Sequence, residues 1–141
     1  VQTLRSATLR ATTLVYIANY DEALRVAEAA LAGAEDLGWA PLEAEARYVL
    51  ASVHNSRSEI DEARALHREA FMQATESGHD LLAARAATSL VGLLSRTAET
   101  ELALHSAELG RVFLSRANVS APNEHGSHCI RRFLLQCGAL F

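Results

Sequence analysis

Six histidines, two cysteines and a set of paired acids are the side chains in this 141-residue sequence that could do chemistry. The densest group is His125-Gly126-Ser127-His128-Cys129. Zinc takes four ligands in a tetrahedron, and this run supplies three while straddling a loop and a helix start. A polar loop running into a helix accounts for it more simply, so neither a metal nor any other cofactor is expected. Cys129 and Cys137 are eight positions apart, about 12 Å along a helix axis, too far to bond with each other. That spacing fits a reduced, cytoplasmic setting. Nucleophilic catalysis needs a Ser or Cys with an oriented base and an oxyanion site, and no nucleophile elbow is present. The acid pairs Asp21-Glu22 and Asp61-Glu62 open helices, where carboxylates favour the positive end of the helix dipole. The expectation is therefore not an enzyme.

The elements that carry these residues are helical throughout. Leu24, Ala27, Ala30, Leu31 and Ala34 recur at spacings of three and four, one apolar stripe on a helix. Gly38 and Gly78 close helices because Gly takes the left-handed conformation at least cost, Pro41 suits a first helical turn, and Asp80 is placed to N-cap. The spacing predicts seven helices, over about 2–17, 20–37, 41–55, 60–77, 80–95, 99–116 and 124–140, with a loop over 117–126 and short connections that make neighbours antiparallel. Half the chain is hydrophobic, and only two prolines and seven glycines interrupt it. A net charge of −4 gives no broad attraction to nucleic acid or to an anionic membrane, and no apolar run reaches the length of a membrane span.

The sequence also repeats. Tyr20-Asp21-Glu22-Ala23-Leu24 precedes Ile60-Asp61-Glu62-Ala63-Arg64 by forty positions, and Thr100-Glu101-Leu102-Ala103-Leu104 stands forty further on. The offset holds for Ala30 and Ala70, Ala34 and Ala74, Ala44 and Ala84, Ala46 and Ala86, and Leu50 and Leu90. A fixed period in this range marks stacked helix pairs.

These residues resemble the tetratricopeptide repeat, whose second helix opens with an aromatic or aliphatic residue, two acids and an alanine, and whose first helix carries a Leu followed by a small residue. Tyr20-Asp21-Glu22-Ala23, Ile60-Asp61-Glu62-Ala63 and Leu50-Ala51 match closely, Leu90-Val91 more loosely, and Cys137-Gly138 keeps the glycine. The third copy departs, with Thr100 and Leu102 at the places of Tyr20 and Glu22, and the first helix puts Arg10 and Ala11 at the Leu-small site. The long period is similar to repeats of kinesin light chains. The stretch Gly78-His79-Asp80-Leu81-Leu82-Ala83-Ala84-Arg85-Ala86-Ala87 resembles arrays that follow the catalytic domain of certain bacterial serine/threonine protein kinases. No kinase motif lies in the chain itself: no Gly-rich phosphate loop, no His-Arg-Asp and no Asp-Phe-Gly.

The resemblance implies an all-α, right-handed solenoid of antiparallel helix pairs. It would be one domain with units over about 1–38, 41–78, 80–116 and a partial 122–141, cut from a longer protein. It implies a protein or peptide partner on a concave face lined by the first helix of each unit. Projected onto this chain, that face takes Arg5, Thr8, Thr12, Val15 and Tyr16, then Glu45, Tyr48, Ser52, Asn55 and Ser56, then Arg85, Thr88, Gly92, Ser95 and Arg96, and finally Arg132, Leu135 and Ala139. The arginines would suit a carboxylate-bearing or phosphorylated peptide, unless they pair with nearby Glu. Tyr16 and Tyr48 would serve either as aromatic anchors or as packing within the groove. His67, at the place of Ala27, is expected to be packed and hydrogen-bonded, and Trp39 to pack as a lid on a helix pair. His54, His79 and His105 are expected between helices or at the surface.

The expected role is a protein–protein interaction or scaffolding module of a larger bacterial signalling protein. Two alternatives stand beside it. One is a homodimer through the last helix, by way of Leu134, Leu135, Leu140 and Phe141. The other is the regulatory repeat region of a transcription activator.

Overall fold

A computed structural model describes residues 1–120 of the chain. They form α1 (Gln2–Tyr16), α2 (Tyr20–Leu37), α3 (Ala40–Ser56), α4 (Ile60–Glu76), α5 (Asp80–Arg96) and α6 (Thr100–Ser120), with no strand among the described residues. The expected helix over 124–140, the partial unit 122–141, and the residues Arg132, Leu134, Leu135, Leu140 and Phe141 lie outside the described residues. So do both cysteines and the His125–Cys129 run. Helix α6 continues to Ser120, past the expected stop at 116, because Ala117–Ser120 contains neither Gly nor Pro to end it.

The forty-residue repeat is made of two twenty-residue steps. Helices α2 to α6 begin at Tyr20, Ala40, Ile60, Asp80 and Thr100. Before each start one residue enters the left-handed region: Ala18 (φ 58°), Gly38 (64°), Ser58 (64°), Gly78 (71°) and Ala98 (60°). The residue after it donates back to a carbonyl five positions earlier at four of these turns: Asn19 to Leu14 (2.9 Å), Glu59 to His54 (3.0 Å), His79 to Ala74 (2.8 Å) and Glu99 to Leu94 (3.0 Å). That pairing is the Schellman arrangement, which satisfies carbonyls left open at a helix end. Gly38 and Gly78 hold the conformation freely, while Ala18, Ser58 and Ala98 hold it against the clash of a Cβ with the backbone. Asp80, expected as an N-cap, is instead the first residue of α5; its Oδ2 pairs with Arg116 at 3.2 Å.

The buried positions keep the same register. On the second helices they are Ala23, Ala27, Ala30 and Ala34 in α2 and Ala63, His67, Ala70 and Ala74 in α4. On the first helices Leu42, Ala44, Ala46, Leu50, Ala51 and Val53 of α3 recur as Leu82, Ala84, Ala86, Leu90, Val91 and Leu93 of α5. The first copy joins this register: Ala11 is fully buried beside Ala23, Ala27, Leu50 and Val53. Arg10 turns outward to Glu22.

By their contacts the helices form two compact units, Val1–His79 and one beginning at Asp80. In the first, α1 packs on α2, α2 on α3 and α3 on α4, and α1 also touches α3. Small residues at these crossings allow close helix approach. In the second, α5 packs on α6 around Leu90, Leu94 and Ala103.

The two units solve one packing problem differently. In the first, the half-buried Arg47 of α3 donates to Gln73 of α4 and to Glu35 of α2 (2.8 Å), and lies 3.4 Å from Glu69 of α4. Gln73 in turn donates to Glu43 at 2.6 Å. Forty positions on, Glu43, Arg47, Glu69 and Gln73 become Ala83, Ala87, Leu109 and Phe113. Ala83, Ala87 and Phe113 are buried. The positions of an interhelical polar network in one pair hold apolar residues in the other.

Two consequences are measurable by chemical denaturation. Gly78→Ala should lower stability by about 1 kcal/mol, and Ala98→Gly should raise it by up to about that amount, since an L side chain in the left-handed region costs roughly that much. Equal midpoints for Gly78→Ala and the parent would show that the turn does not need its glycine. Arg47→Ala removes the hydrogen bonds to Glu35 and Gln73 and should cost about 1 kcal/mol, since the carboxylates it leaves are largely in solvent. Changing Glu43, Arg47 and Gln73 together to Ala, Ala and Phe, the third pair's residues, should recover most of that loss; a triple variant weaker than Arg47→Ala would mean the network is not exchangeable for apolar packing.

Candidate functional site

Helix α1 presents Arg5, Thr8, Thr12 and Tyr16 at spacings of three and four, and α3 presents Glu45, Tyr48, Ser52, Asn55 and Ser56 forty positions later. The two helices touch, so the structure brings these two stripes together within the first unit. Thr8 is buried, Glu45, Tyr48, Ser52, Asn55 and Ser56 are half-buried, and Arg5, Thr12 and Tyr16 are exposed.

The hydroxyls of the stripes are turned back onto their own helices. Thr8 donates to the Arg5 carbonyl at 2.8 Å, Thr12 to Thr8 at 3.0 Å, Ser52 to Tyr48 at 2.9 Å and Ser56 to Ser52 at 3.0 Å. Such bonds satisfy each hydroxyl locally and leave no polar demand on a neighbouring helix.

Charge on this face is largely compensated. Arg5 Nε lies 3.6 Å from Glu45, which also pairs with His79 Nε2 at 3.4 Å. The Arg5 guanidinium sits 5.7 Å from the centre of the Trp39 ring. Trp39, expected to be packed, is 40% exposed and covered on one side by this arginine. The pairing of Arg5 with Glu45 removes most of the basic character expected at this end of the face.

The two tyrosines divide. Tyr48 packs edge-on against His67 of α4, ring centres 5.1 Å apart, which anchors it to the core. Tyr16 is 86% exposed. His67 is 1% exposed and packed as expected, but its Nδ1 has no hydrogen-bond partner, contrary to the expected hydrogen-bonded ring. Burial lowers its pKa to about 4.

In the second unit Arg85, Ser95 and Arg96 are exposed, and Thr88 and Gly92 half-buried. Thr88 donates to the Ala84 carbonyl and Ser95 to Val91, each at 2.8 Å, so the hydroxyl pattern of α1 and α3 recurs on α5. Neither Arg85 nor Arg96 lacks a partner.

At the α3–α4 turn Arg57 donates to Glu59 and to Asp21 of α2, and His54 Nδ1 meets Glu59 at 2.7 Å. Hydrogen bonding to Arg57, then to His54, holds the Glu59 carboxyl below its ordinary value. These pairs join helix ends among half-buried side chains, with Asp21 alone fully in solvent. Among the described residues, no three His, Cys, Asp or Glu side chains gather closely enough to hold a metal, and no helix is long and apolar enough to cross a membrane.

Sequence reasoning missed Arg47 and the Arg5–Trp39 contact. Arg47 was signalled only by its departure from Ala87 in the next copy. The Trp39 contact leaves no pattern, because it depends on where the turn before α3 falls relative to α1. No model of a known protein family matches the chain, and no curated protein matches it.

The buried histidine gives this face a pH-dependent foundation. Unfolded, the ring titrates near its ordinary value of about 6.5; folded, it stays neutral down to about pH 4. Below about 6.5 the unfolded chain binds a proton that the folded one refuses, so stability falls between about pH 6.5 and about pH 4 and then levels off, by at most about 3 kcal/mol. His67→Leu should remove that component. Urea unfolding at neutral and mildly acidic pH checks it; a parent and variant with equal acid sensitivity would show that His67 is not its source.

Proposed function

We propose that the chain is a protein–protein interaction module, a sensing or scaffolding segment of a larger bacterial signalling protein such as a serine/threonine kinase. Its working surface is the face carried by α1, α3 and α5, its helix pairs stack as a right-handed solenoid, and it works in the cytoplasm. The observation that carries this reading is the stripe itself: the same positions, forty residues apart, recur on the first helices, and apart from Thr8 and Tyr48 they hold side chains outside the core. Their hydroxyls are satisfied by their own helices, and Tyr16 is left almost wholly in solvent. The order of contacts in the first unit, with first helices touching each other as well as their own second helices, supports the stacked arrangement. Exposed tyrosine and arginine are favoured anchors for a partner chain.

The partner in this reading is a peptide or protein segment carrying acidic side chains, met by Arg85 and Arg96. A peptide array of acidic sequences, read by fluorescence polarisation of the best binders, tests it. Tyr16→Ala and Arg85→Glu should each weaken binding at least tenfold while leaving thermal melting unchanged. Undiminished binding by both variants would place the contact on another surface.

A further inference from the structure

The stripe on α1 and α3 changes character at one repeat position. Where the first copy has Thr8 and the third Thr88, the second has Tyr48. Where the first has Ala27 and the third Ala107, the second has His67. Both enlargements fall in the same copy, and the two side chains meet, ring centres 5.1 Å apart and planes inclined at 61°. His67 is 1% exposed. A packed interior of this kind leaves no space for a second large ring to enter, and Tyr48 stays half-buried. Thr8 is buried instead, its hydroxyl donating to the Arg5 carbonyl at 2.8 Å.

We propose that His67 is a positioning residue: it props the Tyr48 ring on the α1–α3 face as a fixed anchor for an apolar side chain of a partner segment. The inference rests on the binding role proposed above for that face. An edge-on ring contact is directional, so His67 sets the angle of the phenol as well as its height. A side chain already held in place loses little rotamer freedom when a partner arrives, whereas Tyr16, 86% exposed, has that freedom to lose. Glu45, Ser52 and Asn55 share the α3 stripe with Tyr48 at helical spacing. They give the ring the polar surround typical of an interface anchor. The Glu45 carboxylate also disfavours an acid at this spot, so the partner contributes an apolar side chain here and its acids elsewhere.

Nitration by tetranitromethane, mapped by mass spectrometry, measures how far each tyrosine stands out, with the exposed Tyr16 as internal reference. His67→Ala should let the Tyr48 ring sink and slow its nitration severalfold relative to Tyr16. His67→Phe, which keeps a ring beneath it, should restore the parental rate. Unfolding cannot mimic this pattern, because an unfolded chain nitrates Tyr48 faster. The fluorescein-labelled best binder from the acidic array should bind His67→Ala about tenfold more weakly and His67→Phe as it binds the parent. A Tyr48 rate indifferent to His67→Ala overturns the proposal, and so does a His67→Phe variant that fails to restore it. Slowed nitration with undiminished binding overturns the anchor role. An array without binders removes that role together with the binding reading, while the nitration rates still decide the propping.

Discussion

Between each pair of helices one residue must turn left-handed, and the rest of the architecture follows from where it falls. A chain that spends seventeen or eighteen residues in α2 to α5 and reverses at one left-handed residue each time starts every helix twenty residues after the last, so within each unit the helices keep the same register. Apolar stripes written at the same offset then always face inward. If one turn lengthened by a residue, the following helix would rotate by about 100°, and its alanines would leave the core. Three of the five left-handed residues are not glycine. Those turns are therefore held by the packing of the helices they join, and turn and core depend on each other.

The cores show what close approach demands. Ala23, Ala27, Ala30 and Ala34 of α2 are essentially without solvent contact, so the helices meet almost backbone to backbone and leave little room for variation. Where a larger side chain enters, it needs a compensating arrangement. His67 replaces Ala27 in the next copy and is received edge-on by Tyr48, a position held by Thr8 in the first copy. Arg47 has Glu35, Glu69 and Gln73 around it, whereas the buried Ala87 brings no polar group to be satisfied. The polar version half-buries a cation, which needs acceptors within reach, while Glu35 and Glu69 remain largely in solvent. The apolar version asks for volume alone. That both occupy one repeat position shows the backbone geometry to be set elsewhere, by the turns and the alanine stripes.

Much of this was written in local pattern. The alanine stripes, the acids in the first turns of α2 and α4, and glycines at 38 and 78 each act within a few residues, so helix positions could be read off directly. Ala18, Ser58 and Ala98 could not be read as left-handed, because nothing in their type favours it; only their twenty-residue spacing from Gly38 and Gly78 hints at it. The end of α6 was misplaced because Asn118 and Ser120 resemble loop residues although nothing there forbids a helix. Partners across helices were the least legible. Arg5 was expected to confer positive charge, yet Glu45 lies beside it, and Trp39 was expected to be packed, yet it stays 40% exposed with a guanidinium over its ring. Each outcome depends on a distance between elements that no single stripe encodes.

The same separation bears on where a partner could be accommodated. Side chains that hold helices together cannot be varied for recognition without loss of the fold, and Tyr48 is of this kind because removing it uncovers His67. Thr12, Ser52 and Thr88 spend their hydroxyls on their own helices, and Tyr16 touches little at all. Such positions can change without disturbing the alanine contacts beneath them. A surface built this way keeps its shape while its chemistry drifts. Under the binding role proposed for this chain, its specificity would then reside in the exposed stripe, and the forty-residue repeat would serve to carry that stripe at a fixed spacing.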